Sequence, residues 1–255
     1  MRNFKLVLAV VLMASATCVL ADQQGAMALE GAMALGSALT ESSRAEADKA
    51  RDAGRKPAEV LSFLGIAEGM TVMDVIAAGG YYTEVLSIAV GPGGKVYAQN
   101  PAAVLQYRDG ANDKALTARL ADGRLANVTR WDRELDDVGL EAGSLDGAIT
   151  ALNFHDIYNP DPAAAMGMLQ VIKGLLKPGG VLGIIDHAGS VDANNAELHR
   201  VEKAKVVAAA MEAGFEIAGD SDLLANSADD LTQMVFAPDI RGKTDRFLLK
   251  LVKPI

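Results

Sequence analysis

From Met70 onward, apolar runs of strand length alternate with runs of helical period, and this alternation limits the chain to one kind of sheet. Strand-like runs fall near 70–76, 95–99, 127–131, 146–152 and 181–186. Helix-like runs stand between most of them, at 81–90, 112–121 and 162–176, and Pro178-Gly-Gly180 ends the last. A long helix is predicted over 193–213, with closing strands near 215–218 and 247–252. Strands this continuously apolar are covered on both faces, which predicts an α/β fold with a Rossmann-like, doubly wound, mostly parallel sheet, and the long final hairpin over 215–252 predicts an antiparallel last strand. Ligands of such sheets bind at the carboxyl ends of the strands.

One strand end stands out. Asp74-Val-Ile-Ala-Ala-Gly-Gly80-Tyr-Tyr-Thr-Glu84 joins a buried strand to a helix through small residues. Free N–H groups and the positive end of the helix dipole meet there, which suits a polar ligand.

The first 21 residues read as a signal peptide. Arg2 and Lys5 form a basic start, Leu6 to Leu20 an apolar stretch shorter than a typical span, and Val19-Leu-Ala21 a small-residue cleavage site. An uncleaved anchor and a lipoprotein are the rival readings. Export to a periplasm or the outside is the expectation, with no stable membrane insertion after cleavage. Cys18, the single cysteine, leaves with this segment, which excludes thiolate and disulfide chemistry in the remainder. The net charge of −9 becomes −11 without the two basic residues, so a nucleic-acid partner is not expected. Residues 22–42, with Gly-Ala-Met-Ala-Leu twice, read as a low-complexity linker or a weak helix. The domain proper is predicted over 43–255, opening with a capping box at Ser43-Arg-Ala-Glu46 and with Pro57 in the first turn of the next helix.

Six motifs from about residue 48 to 254 carry a family resemblance. They are Arg55-Lys-Pro-Ala-Glu-Val60, Asp74 to Glu84, Gly94-Lys-Val-Tyr-Ala-Gln-Asn-Pro101, Leu152-Asn-Phe-His-Asp-Ile-Tyr158, Leu176-Lys-Pro-Gly-Gly180 and Arg241-Gly-Lys-Thr-Asp-Arg-Phe247. In this order and spacing the chain resembles class I S-adenosylmethionine-dependent methyltransferases, and more narrowly an exported bacterial branch of them. The resemblance implies seven strands, S-adenosylmethionine as cofactor, and binding of it by Asp74, Gly79, Gly80, Asn100 and Asp132. It also implies a small-molecule acceptor, since no recognition domain is appended. Two places depart from the family. The glycine positions of the loop hold Ile76, Ala78 and Gly80, and Gln99-Asn100 replaces the acid that meets the ribose. A β-branched Ile76 is expected to resist positive φ, and Ala78 to narrow the loop.

The fourth and fifth strands end in His155-Asp156 and Asp186-His187, which places two of the three histidines at one sheet edge. Proton transfer by His155 or Asp156, substrate contact by His187, a metal, and plain hydrogen bonding are all open to such a cluster. No metal is assigned. Tyr158 is placed on the substrate side. Trp131 is either a stacking platform or core, and His199 is read as a helix surface or packing residue. Tyr81, Tyr82 and Glu84 open the first sheet helix and read as packing, with Glu84 as an acid near a favourable helix N-terminus. Arg241, Asp245 and Arg246 read as an ion-pair group before the last strand, in which an arginine could also cover an acidic substrate. A binding protein that kept the fold without the chemistry is the alternative function, and a metal-dependent hydrolase a third. A nicotinamide dehydrogenase lacks support, since there is no Gly-x-Gly-x-x-Gly. Oligomeric state is not legible.

Overall fold

A computed structural model describes residues 29–137 and 139–255, so the predicted signal peptide lies outside the described residues. Seven strands form one sheet: β1 (Thr71–Val75), β2 (Lys95–Gln99), β3 (Val128–Trp131), β4 (Leu145–Ala151), β5 (Leu176–His187), β6 (Glu216–Ser221) and β7 (Arg246–Val252). Their order is β3-β2-β1-β4-β5-β7-β6. Every pairing is parallel except the two made by β7, which runs antiparallel between β5 and β6. This is the predicted mostly parallel sheet with its antiparallel last strand.

Alternation along the strands divides the core. Val72 of β1 joins one apolar cluster with Val60, Leu61 and Leu64 of α3 (Pro57–Leu64) and Val85 and Leu86 of α4 (Tyr81–Val90). Met73 and Val75 point the other way, into a cluster with Leu169 and Ile172 of α7 (Pro162–Leu175) and Val206 of α9 (Lys203–Glu212). Each fully buried Leu or Ile contributes about 1.5–3 kcal/mol over its exposed state. Contact with α3 is close enough to demand glycine in β5, since a Cβ on Gly183 would lie 2.4 Å from Leu64.

Residues 29–41 are helical (α1) and Leu39 is buried against the α3 side, so of the two forms open to this segment the described part is helix. The expected capping box is not made: α2 (Glu46–Arg55) starts at Glu46 with Ala45 at its cap position and no side-chain cap bond. By contrast α7 opens as its sequence suggests, with Pro162 in the first turn and the Asp161 carboxylate accepting from Ala163 N–H at 2.9 Å. The helix expected over 112–121 begins earlier, as α5 (Ala102–Leu120), and is bent where Arg108, Asp109 and Gly110 turn left-handed. Among the described residues no helix is long and apolar enough to cross a membrane.

The largest departure is at 193–213. A short helix, α8 (Asn195–Leu198), ends at His199 in the left-handed region (φ 54°), and α9 begins only at Lys203. Arg200 explains the break. Its guanidinium is fully buried, bonded bidentately to Asp229 (2.9 and 3.0 Å) and to the carbonyls of Ala188 and Gln233. A buried arginine must have its donors met, and here the chain bends inward to meet them.

Candidate functional site

The loop after β1 keeps a glycine-type backbone without the glycines. Ile76 has φ 56°, Ala78 φ 50° and Gly80 φ 85°. The expectation that Ile76 avoids positive φ is therefore overturned, at a cost of order 1–3 kcal/mol for each strained residue. What holds them is an amide clamp from the end of β2. Gln99 Oε1 accepts from Ile76 N–H at 3.0 Å, while Asn100 accepts from Ala78 N–H at 2.8 Å and donates to Ala78 carbonyl at 3.2 Å. Both amides are fully buried. Ile76 is 7% exposed and packs mainly into the core, so the hollow above the loop stays open.

That hollow is a cavity of about 520 Å³ at the carboxyl ends of β1, β4 and β5, within the range of small-molecule sites. Asp74 forms part of its wall and is 3% exposed, with the Thr83 hydroxyl donating to it at 2.7 Å. Burial raises its carboxyl to about 7, against the opposing pull of Thr83 and the more distant Arg55 and Arg119. A larger hollow, about 740 Å³, lies beside Gly94, Lys95 and Asn127, at the amino ends of β2 and β3 and away from these groups.

The far wall carries the histidines. Asp186, fully buried, accepts from His155 N–H (2.8 Å), His187 N–H (2.7 Å) and the His155 ring at Nδ1 (2.7 Å). His155 Nε2 is buried without a hydrogen-bond partner and lies 3.2 Å from Asp156 Oδ1. The His199 ring Nδ1 lies at the same 3.2 Å from that oxygen. Burial would lower the His155 pKa, but the carboxylates of Asp156 and Asp186 outweigh it and hold the imidazole at about 10. His187 is pushed the other way, first by burial and then by the charge on His155, and its Nδ1 meets the Thr244 hydroxyl at 2.7 Å.

Charged residues of α2, α4 and α5 close the third side. Arg119 bridges Glu84, Asp48 (2.7 Å) and the Gly79 carbonyl (2.9 Å), and Glu84 also holds Arg124. Glu84 is thus a buried ion-pair hub, where only a favourable helix start was expected. Tyr81 donates to Asp52 at 2.6 Å, and Asp52 is also held by Arg44. Arg55 lies over the Tyr81 ring at 4.4 Å and makes no ion pair among the described residues. Arg246 is buried on the carbonyls of Gly54 and Thr244, and Asp245 takes the N–H of Asn226, so the expected ion-pair group with Arg241 does not form.

Of the residues singled out from sequence, Asp74, Gly79, Gly80, His155, Asp156 and His187 meet in this cavity. Asn100 does not face it; its side chain is spent on Ala78, which corrects the ribose assignment. Asp132 pairs with Arg130 at 2.7 Å beyond the end of β3, outside the lining. Tyr158 stacks on Phe154 at 5.8 Å, also off the cavity, because α6 (Phe154–Tyr158) turns it into the core. Trp131 packs edge-on against Tyr97 at 5.3 Å. Sequence reasoning missed Arg55 and His199. The Arg55 motif is visible in the sequence, but nothing in the local pattern breaks the predicted helix at His199.

No family model matches the sequence, and no curated protein matches it. Solved structures do. A SAM dependent methyltransferase from Aquifex aeolicus superposes with a TM-score of 0.58 at 24% identity, over 77% of this chain and 88% of that one. The fold is that of the class I S-adenosylmethionine-dependent methyltransferases. The 4+2 cyclase SpnF has it as well, with a TM-score of 0.59 at 15% identity over 80% and 81% of the two chains. So does a chain from Bordetella parapertussis described as a possible exported protein, with a TM-score of 0.51 at 16% identity over 74% and 63%. At these identities the likeness establishes the fold, and the cyclase shows that one fold carries more than one chemistry.

Proposed function

We propose that the protein is an exported S-adenosylmethionine-dependent methyltransferase acting on a small-molecule acceptor. The observation that carries this reading is the juxtaposition, in one cavity, of Asp74, the unpaired Arg55 and the His155–His187 wall. An amino-acid zwitterion presents an ammonium and a carboxylate together, which Asp74, once ionised, and Arg55 would meet with opposite charges. The residues therefore fit the methionyl half of the cofactor. At the place of the family's ribose-binding acid stand Gln99 and Asn100, and both amides are committed to the loop. When bound, the sulfonium supplies an electrophilic methyl group.

What the chain contributes is alignment, exclusion of water and a place for one proton. His155, charged at neutral pH between two carboxylates, is not the group to take it. His187, kept neutral by burial and fixed through Thr244, is the suited acceptor on that wall. The acidic surface supports a small acceptor over a nucleic acid.

The amide clamp favours a second reading, a binding protein that kept the fold and lost the reaction. Calorimetry with S-adenosylmethionine and its demethylated product separates the two. We expect both to bind, and Arg55→Ala to weaken them about tenfold, the loss of one charge-assisted contact. Absence of heat and of thermal shift at millimolar concentrations of either compound would leave only the second reading.

A further inference from the structure

All three histidines of the chain converge on one point, although they come from three separate segments. Two of them flank a carboxylate oxygen: His155 Nε2 and His199 Nδ1 each lie 3.2 Å from Asp156 Oδ1, and the three residues each offer a ligand atom within 4.8 Å of the others. In a tetrahedral zinc site, metal–ligand bonds of 2.0–2.1 Å put neighbouring ligand atoms about 3.4 Å apart. The two spacings to Asp156 Oδ1 are close to that value.

A second, independent observation points the same way. His155 is 3% exposed, and its Nε2 faces the Asp156 carboxylate oxygen at 3.2 Å without a well-formed hydrogen bond. A metal ligand must be unprotonated, so an ion there would displace the proton that His155 carries between its two carboxylates. The other ring nitrogen meets the Asp186 carboxylate at 2.7 Å. That carboxylate–histidine arrangement is the one that turns the remaining nitrogen outward as a metal ligand and fixes its orientation. His199 is placed by equally specific means: a left-handed backbone, the Arg200 anchor beside it, and the Phe236 ring at 5.0 Å.

We propose that His155 Nε2, Asp156 Oδ1 and His199 Nδ1 form a binding site for one divalent first-row transition cation, with Asp186 orienting His155. Two imidazoles and one carboxylate suit Zn²⁺ best, and Fe²⁺ or Mn²⁺ less tightly. His155 and Asp156 line the cavity, so an ion held there would be within reach of a small ligand that enters it. The site stands whether or not the protein transfers methyl groups.

The test is metal binding by the full chain, with no cofactor present. The purified protein is stripped with a chelator, then titrated with Zn²⁺ by calorimetry and with Co²⁺ by visible absorption. We expect one Zn²⁺ per chain and a tetrahedral Co²⁺ spectrum. His199→Ala, at a part-exposed position, should weaken Zn²⁺ at least tenfold and abolish the Co²⁺ bands while circular dichroism is unchanged. Asp156→Asn should do the same. His187→Gln, whose ring is held by Thr244, should leave Zn²⁺ affinity within twofold. The proposal is overturned if Zn²⁺ binds below one-tenth of an equivalent, if His199→Ala and Asp156→Asn bind it as the unaltered chain does, or if His187→Gln alone removes it.

Discussion

The two walls of the cavity are built in opposite ways. The loop after β1 is one continuous segment, and its strained residues, Ile76 and Ala78, are held down from outside by the amides of Gln99 and Asn100. The histidine wall is assembled from the ends of β4 and β5 and the break after α8, with Asp186 at its centre. The first wall spends polar side chains on shaping backbone. The second spends backbone N–H groups on shaping side chains. A loop that must only present a surface can tolerate altered residues if something clamps it, whereas a cluster that must present ring nitrogens needs each ring fixed.

Removing the centre of the second wall should have the largest effect. Asp186→Ala deprives two buried backbone N–H groups and the charged His155 of their acceptor, so we expect a loss of about 4 kcal/mol in denaturant unfolding. A loss below 1 kcal/mol would mean that the wall does not depend on it. The corresponding change in the first wall is milder. Asn100→Ala strands the Ala78 N–H and frees the strained loop, for an expected cost of about 2 kcal/mol measured the same way. If the two costs were equal, the contrast between the walls would fail.

The remaining effect, spread over the pH range from about 4 to 7, sharpens the role of Asp74, which sits between them. Its folded pKa, about 7, is above the usual value of 3.8, so the folded state keeps a proton that the unfolded chain releases. Stability contributed by Asp74 is therefore fully present at low pH and falls as pH rises from about 4 towards 7, by up to about 1 kcal/mol per pH unit. Above 7 the loss is complete. The variant Asp74→Asn should flatten that part of the stability–pH curve; an unchanged slope would show that another group is responsible.

How much of this was legible in the sequence differs between the walls too. Strand–helix alternation and continuously apolar strands were enough for the sheet, its parallel sense and its antiparallel last strand. They also placed Asp74, Gly79, Gly80, His155, Asp156 and His187 at one sheet edge, because chain order and strand direction determine which ends meet. Local pattern could not say that Asn100 would turn onto Ala78, since an amide after a strand looks the same whether it faces a ligand or a neighbouring loop. Nor could it place His199. The run from 193 to 213 has acceptable helical composition, and propensity is a weak prior that tertiary contacts override.

The sequence by itself determined the architecture, because periodicity of apolar residues is a local property that burial then enforces. Only the tertiary structure decided which polar side chains are free. That depends on partners distant in the chain: Asp229 for Arg200, Asp186 for His155, Ala78 for Asn100. A buried donor or acceptor must be satisfied wherever its partner lies, and no local pattern encodes where that is.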